Sequence, residues 1–548
     1  MYNNLKMSRK QYIFWILIAL LLAAGVKIAL LVANLVPFNS DEAIVGLMAR
    51  HILQGERPIF FYGQAYMGSL DAFLIAGFFN VFGQEVWVIR FVQTTLYLLT
   101  IILAASISTT IYSSRKAGVF TALILSLPPV NTTLYTTASL GGYGEAVLIG
   151  CLVLLITIKY IRVDIFTKTT LLQSILWVGF LGFLTGLGFW ANALSAIFSI
   201  SCIGYLFILL FQSRNKIKLR KRSGLFLAAL FGIGVGLFPW WMAAFQLGFK
   251  GLIGELLGNA VAIEAGSWLV KVGLHLANLL ILGIPAMLGM RPPWEVRWLG
   301  LPLLPFILVI WGMVLFRFIR NIQNESETRA GKWLIVAITV TFLFGFLFTS
   351  FGVDPSGRYF LPIYILLAIL AGGEIGRISL LLLPQIAILS LLLIFQGWGN
   401  LDCALRNPPG FTTQFDLATA IDHREDSRLI EYLTEKGINR GYSTYWGAYP
   451  LAFLSQEKIL LAPELPYHAN LIYSARDNRY PIYSNRVNSS MKVVYITAKN
   501  PNLDEALRTG LQNAKIQWNE DQIGDYRIYY NLSRVVTPAE LLPSLSGK

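Results

Sequence analysis

The sequence predicts an α-helical polytopic membrane protein with a small extracytoplasmic α/β domain at its C-terminal end. Three observations lead there. Of 548 residues, 55% are hydrophobic and only 14% are charged, whereas an ordinary soluble domain is about a quarter charged. Apolar runs recur from the N-terminal end to Trp398, each long enough, at about 18 residues or more, to cross about 30 Å of hydrocarbon. After Trp398 the chain turns polar and rich in tyrosine. The runs are continuous rather than alternating, which excludes a membrane β-barrel.

The first run, 12–38, follows Lys6, Arg9 and Lys10 and is too long for a signal-peptide core, so it reads as an uncleaved span. Further basic residues are Arg115 and Lys116, then Lys159, Arg162 and Lys168, then 214–222, then Arg317, Arg320, Arg329 and Lys332. Stretch 214–222 holds six basic residues and no acid. Basic loops of this kind stay in the cytoplasm, so the net charge of +14 speaks for orientation and not for nucleic acid. Alternation then gives spans at 12–36, 84–112, 117–134, 141–161, 172–190, 192–212, 224–247, 300–317, 333–351, 359–376 and 378–397. That is about eleven, with the N-terminus inside and the C-terminus outside the cell (inner or plasma) membrane. Segment 272–290 is apolar enough to cross, but crossing would put the 317–332 charges outside. It is therefore expected to lie on the outer face as an interfacial hairpin, with Pro285 and Pro292 as breakers. Domains are expected at 1–399, carrying large outer loops at 37–83 and 248–299, and at 400–548. The three cysteines, Cys151, Cys202 and Cys403, give no disulfide framework.

The outer loops collect the unusual residues. Asp41 and Glu42 follow the first span directly, and interfacial acids lean toward function. The competing role for Asp41 is structural, because Ser40 or Asp41 would cap a helix over 42–53 whose apolar side holds Ile44, Leu47, Met48 and Ile52. A second short helix is expected to begin within Tyr66 to Asp71, with Gly68 or Ser69 near its start. Glu145 begins a span after a glycine-rich stretch, either as a functional acid or as an acid favoured by the helix dipole. Arg358, in 354–362, either anchors a span by snorkelling or faces an anionic substrate. In the tail, helices are expected at 427–436 and 503–514 and strands at 458–461 and 491–496.

The order of these features resembles the GT-C superfamily of integral-membrane glycosyltransferases. It is most similar to the bacterial relatives of the protein mannosyltransferases and the aminoarabinose lipid A transferases. The resemblance rests on Asp41-Glu42 after span one, two interfacial helices in the first loop, Glu145 in the second outer loop, the run Gly357-Arg358-Tyr359-Phe360-Leu361-Pro362, and an external tail. The resemblance implies a GT-C fold and transfer of a sugar, with inversion, from a polyprenyl-phosphate donor to a lipid, glycan or protein acceptor at the outer face. It also implies catalytic roles for Asp41, as the base, and for Glu42 and Glu145. Arg358, Tyr359, Lys271 and Arg291 would meet the donor phosphate. Acceptor or sugar contacts fall to His51, Tyr62, Gln64, Tyr66 and Tyr143. Lys27 lies in the outer half of span one and either assists or snorkels. A divalent metal ion is possible, with Glu42 and His51 as weak ligand candidates, although their spacing is not that of a compact ligand pair. The chain departs from the pattern where an expected His-Pro-Pro-Leu stretch is replaced by 63–68.

Three other functions compete. A transporter or flippase is expected to show internal repeats and broken helices with midplane polar groups, and none is visible here. A lipid-linked glycan polymerase or ligase has a different motif order. A non-catalytic scaffold for the tail gives no reason for acids gathered on one face.

Overall fold

The structure is a computed structural model and describes residues 7–163, 168–212, 218–258, 266–323, 326–354, 356–378, 382–406, 410–414 and 420–542. Residues 214–217 of the basic cluster, Pro355 of the 354–362 motif, 259–265 of the second outer loop and 379–381 of the last expected span lie outside them. The chain forms two compact units. One comprises 1–32, 64–71 and 90–404, and the other 33–63, 72–89 and 405–548. The second therefore takes in most of the first outer loop as well as the tail.

In the first unit the apolar runs become helices, the one backbone form that satisfies its own hydrogen bonds in lipid. Among the described residues ten helices are long and apolar enough to cross a membrane. The number is eleven if Leu219–Gly236 and Phe238–Gln246, bent by 64° at their junction, make one span. Two expectations are corrected. The run 117–134 is two helices, Arg115–Ser126 and Val130–Tyr135, because Pro128 and Pro129 fall between them and proline cannot donate to a helix. The run 272–290 is no hairpin. Helix Trp268–Ala277, a π-helical Asn278–Gly283 and helix Ile284–Met287 follow one another, and together they are long enough to span. Pro285 follows the π-helical turn directly, where the regular i→i−4 ladder is already interrupted.

Leu171–Ala191 and Leu219–Gly236 approach backbone to backbone through small residues. A Cβ at Gly232 would stand 2.1 Å from the Gly179 carbonyl oxygen, and one at Gly182 would stand 2.4 Å from that of Ala229. Such small-residue seams let helices pack closely in lipid, where apolar burial drives no association. The most enclosed span is Arg358–Ile375, with 89% of its length buried. Near its C-terminal end the wholly buried Glu374 meets Lys332 Nζ at 3.6 Å and Arg317 Nε at 3.8 Å, as a buried charge requires.

In the second unit a five-stranded sheet runs in the order Leu460–Leu465, Arg440–Thr444, Val494–Ala498, Tyr526–Tyr530, Asn519–Ile523. The first three strands are parallel and the last two antiparallel. Both sheet faces are covered. One core holds Leu429, Leu433, Leu451, Ile496 and Ile528, and the other Tyr442, Tyr495, Leu503, Leu507 and Leu511. Expected helices 427–436 and 503–514 appear as Asp426–Glu435 and Pro501–Asn513, and the two expected strands as Leu460–Leu465 and Val494–Ala498. The closing hairpin over 519–530 was not expected from the sequence.

Helix Ser40–Leu53 packs on helix Tyr445–Leu454. A Cβ at Gly46 would fall 2.6 Å from the Phe453 ring, and Phe38 lies 5.3 Å from the same ring. The expected second helix begins at Leu70, next to Ser69, and the residues just before it, Gln64–Gly68, are extended.

Candidate functional site

Two groups of polar residues stand out, one in each unit. The first is built at the N-terminus of helix Ser40–Leu53. Its cap is neither Ser40 nor Asp41 but Asn39, whose side-chain oxygen accepts from the Glu42 backbone N–H at 3.1 Å. Ser40 is used elsewhere, its Oγ donating to the Tyr445 carbonyl at 2.6 Å. That leaves the half-buried Asp41 carboxylate free of capping. It accepts from Tyr445 Oη at 2.5 Å. The Arg479 guanidinium lies 5.6 Å from the Tyr445 ring and donates to the Gly63 carbonyl at 3.3 Å. Asp477, 8% exposed, is close enough to feel the charges of both Arg479 and Asp41. Burial pushes its carboxyl up to about 7, Arg479 opposing and Asp41 reinforcing. Glu42 is wholly buried in the same helix.

His51 and Tyr62 belong to a neighbouring network. His51 Nδ1 meets Tyr62 Oη at 3.0 Å and Nε2 meets Glu457 Oε1 at 3.1 Å, while the ring stacks on Tyr480 at 4.7 Å. Tyr62 and Tyr480 both donate to Glu56, at 2.8 and 2.7 Å. Burial works against the Glu457 charge, but the hydrogen bonds from His51 and Tyr483 and the charge of Arg50 hold its carboxyl below the usual range. Both ring nitrogens of His51 are thus engaged. Among the described residues no group of three or more His, Cys, Asp or Glu could hold a metal ion. Glu42 and His51 do not make such a donor set.

The second group lies in the first unit. Arg358 Nη2 pairs with Asp354 Oδ2 at 2.6 Å and its guanidinium lies 5.1 Å from the Tyr359 ring. Tyr143 and Tyr359 sit with centroids 6.2 Å apart, and Tyr66 is close enough to both to interact electrostatically. Arg291 also feels the Asp354 charge, and burial draws its guanidinium down to about 10. Its Nε and Nη1 donate to the carbonyls of Leu282, Pro292 and Glu295 at 2.9, 2.8 and 3.0 Å, so it is clamped in place. One carboxylate thus faces two guanidinium groups. Lys271 lies half-buried in the apolar helix Trp268–Ala277, and no contact with this group is seen. Gln64 is half-buried at the start of its extended segment.

Glu145 sits within hydrogen-bonding reach of Asp71, and both are 2% exposed. Asp71 accepts from Gln93 Nε2 at 2.8 Å and from Ser139 Oγ. Burial pushes the Asp71 carboxyl up, opposed by those donors. Lys27 is turned inward, donating to the Thr136 carbonyl at 2.6 Å and to the hydroxyls of Thr136 and Thr137 at 2.9 and 2.8 Å. That is a buried role, not snorkelling. A small cleft nearby is lined by Tyr97, Thr132, Thr136, Tyr143, Leu361 and Ile365.

The structure therefore gathers Arg358, Tyr359, Arg291, Tyr143 and Tyr66 in one unit, and Asp41, Glu42, His51 and Tyr62 in the other. Sequence reasoning missed Asp71 as the partner of Glu145, and Tyr445, Asp477 and Arg479 as neighbours of Asp41. Tyr445 was signalled only by the aromatic run 442–449, and Asp477 and Arg479 lie some way beyond it.

No family model and no curated protein matches the chain. Solved structures do. ArnT from Cupriavidus metallidurans bound to undecaprenyl phosphate is similar over 96% of this chain and 99% of that one, with TM-score 0.58 and 11% identity. The apo oligosaccharyltransferase of Archaeoglobus fulgidus is similar over 96% of this chain and 75% of its own, with TM-score 0.53 and 11% identity. AglB from the same organism, in complex with an inhibitory peptide and a dolichol-phosphate, covers 89% and 69%, with TM-score 0.50 and 10% identity. Likeness at such identities is a statement about fold, and it runs through both units over nearly the whole chain. The chain has the GT-C fold of the integral-membrane glycosyltransferases.

Proposed function

We propose that this protein is a glycosyltransferase of the cell membrane. It moves a sugar from a polyprenyl-phosphate donor to an acceptor at the outer face, with inversion. The observation that carries the reading is the near-complete likeness to an ArnT that binds undecaprenyl phosphate. The residues supply what the chemistry needs. Asp41 is a carboxylate that does not cap its helix and is only half-buried, which suits a general base for an acceptor hydroxyl. As that base takes the proton, the acceptor oxygen bonds to the anomeric carbon. The bond from that carbon to the phosphate oxygen breaks, and its electron pair leaves with the polyprenyl phosphate. Charge grows on the leaving phosphate, where a fixed cation is worth most. Arg358, backed by Arg291, suits this role, the two guanidinium groups outnumbering Asp354. Tyr359, Tyr143 and Tyr66 line the same place and suit contacts to donor phosphate and sugar. The pair Asp71 and Glu145 suits the binding of hydroxyl or cationic character in the transition state.

Purified protein is tested with radiolabelled polyprenyl-phosphate sugars, wild type against Asp41→Asn. Turnover by wild type and a loss of at least about 100-fold in the variant are expected. Equal turnover removes Asp41 as base. No turnover with any donor, alongside solute movement in vesicles, favours a transporter instead.

A further inference from the structure

The tail carries a polar and aromatic cluster that the reading above leaves without a role. Asp477 is buried and its Oδ2 has no hydrogen-bond partner, and the indole Nε1 of Trp446 is likewise buried without one. Leaving a buried polar atom unpaired costs about 1–3 kcal/mol, so such atoms ask for an explanation. Here the two lie in one cluster. Trp446 stands edge-on to Tyr467 at 6.0 Å and to Tyr445 at 5.0 Å. Tyr467 in turn feels the charges of Asp477, Asp41 and Arg479. Asp477 is held by its backbone, its carbonyl accepting from Tyr449 Oη at 3.1 Å, and the Arg479 N–H donates to that same hydroxyl at 2.6 Å. The unpaired carboxylate oxygen is thus fixed, not floating.

We propose that Trp446, Tyr467 and Asp477 form the acceptor subsite of the enzyme and that it takes a carbohydrate. The inference rests on the glycosyltransferase reading and names the class of its acceptor. A sugar presents apolar C–H faces to aromatic rings and hydroxyls that both donate and accept. Aromatic walls with a few fixed polar groups are the ordinary make-up of a small-molecule site, and tyrosine and tryptophan combine the apolar body with the polar tip. The Asp477 oxygen accepts from one hydroxyl and the Trp446 N–H donates to another. Asp41, tied to the cluster through Tyr445, then faces the hydroxyl that reacts. An acyl chain leaves a carboxylate acceptor and an indole donor unmatched, and a peptide, which could pair both, lacks the flat C–H faces that the rings of Trp446 and Tyr467 would cover.

The test is calorimetry on the full-length protein in detergent with a panel of methyl glycosides, and a short serine- and threonine-containing peptide as the contrast. At least one glycoside is expected to bind wild type and to lose about ten-fold or more in affinity in Asp477→Ala and in Trp446→Phe. Undecaprenyl phosphate binding serves as the folding control and is expected to be unchanged. Should Asp477→Ala fail that control, Asp477→Asn replaces it, with a smaller loss expected. Glycoside affinity equal in all variants overturns the proposal, as does binding of the peptide alone, or of no probe. Binding is read without any donor, so absent turnover counts against the transfer reaction and absent glycoside binding against this subsite.

Discussion

Asp41 and Tyr445, 404 residues apart in the chain, share a 2.5 Å hydrogen bond. The tyrosine hydroxyl donates to the carboxylate, and Ser40 donates to the tyrosine's own carbonyl. The tail thereby fixes the orientation of the residue proposed as the base. A base aimed wrongly by an ångström loses much of its effect. Tyr445→Phe is expected to lower kcat about ten-fold and to leave donor KM nearly unchanged. Steady-state kinetics with a labelled donor check it, and a change confined to KM speaks against a positioning role.

Arg358 is paired with Asp354. A donor phosphate brings two or more oxygens to compete for the guanidinium, and the planar fork suits bidentate capture. Arg358→Ala is expected to weaken undecaprenyl phosphate binding by about 10- to 100-fold, and Arg358→Lys to recover only part of it. Binding by a thermal-shift titration decides. Unchanged affinity in Arg358→Ala excludes the phosphate role.

Asp477 gives the protein a titration near neutrality. Its carboxyl ordinarily ionises near 3.8 and is pushed up to about 7 in the fold. The folded state therefore holds a proton that the unfolded state has already lost, and stability falls as pH rises from about 4 through 7. Asp477→Asn removes that proton linkage. The variant is expected to gain on wild type between pH 4 and 8, by an order of about 4 kcal/mol at most. Thermal unfolding of both proteins across that range is the measurement, and parallel curves refute it.

The seam between Leu171–Ala191 and Leu219–Gly236 leaves no space for a side chain at Gly232, whose Cβ would fall 2.1 Å from a carbonyl oxygen. Backbone cannot swing aside as a flexible side chain does. Gly232→Val is expected to cost about 2 kcal/mol or more and to lower the yield of folded protein. The same change at Gly234, where nothing lies within 4 Å, is expected to be nearly silent. Detergent-solubilised unfolding of the pair separates packing from helix propensity.

The expected orientation, with the tail outside, rests on the basic loops. A reporter active only in the cytoplasm, fused after the last strand, is expected to stay dark, and one active only outside is expected to work. A lit cytoplasmic reporter reverses the topology and moves the proposed reaction to the other face.

Long apolar runs announce spanning helices by composition alone, and Glu145 and Arg358 were visible as charges at span ends. What the sequence concealed were partners. Nothing local ties Asp41 to Tyr445, or Glu145 to Asp71, since contacts between residues far apart in the chain leave no spacing to read. The cap was misassigned for a local reason. Asn39, Ser40 and Asp41 are all competent caps, and backbone geometry chooses the first. The run 272–290 was expected as a hairpin broken at Pro285, and the structure instead continues helical through that proline by way of a π-helical turn.

Because Asn39 closes the helix, Asp41→Asn leaves the cap in place. The chemistry can then be switched off while the fold and both substrate contacts stay whole. An Asp41→Asn protein would be a trap, holding donor and acceptor together unreacted long enough for their identities to be read directly.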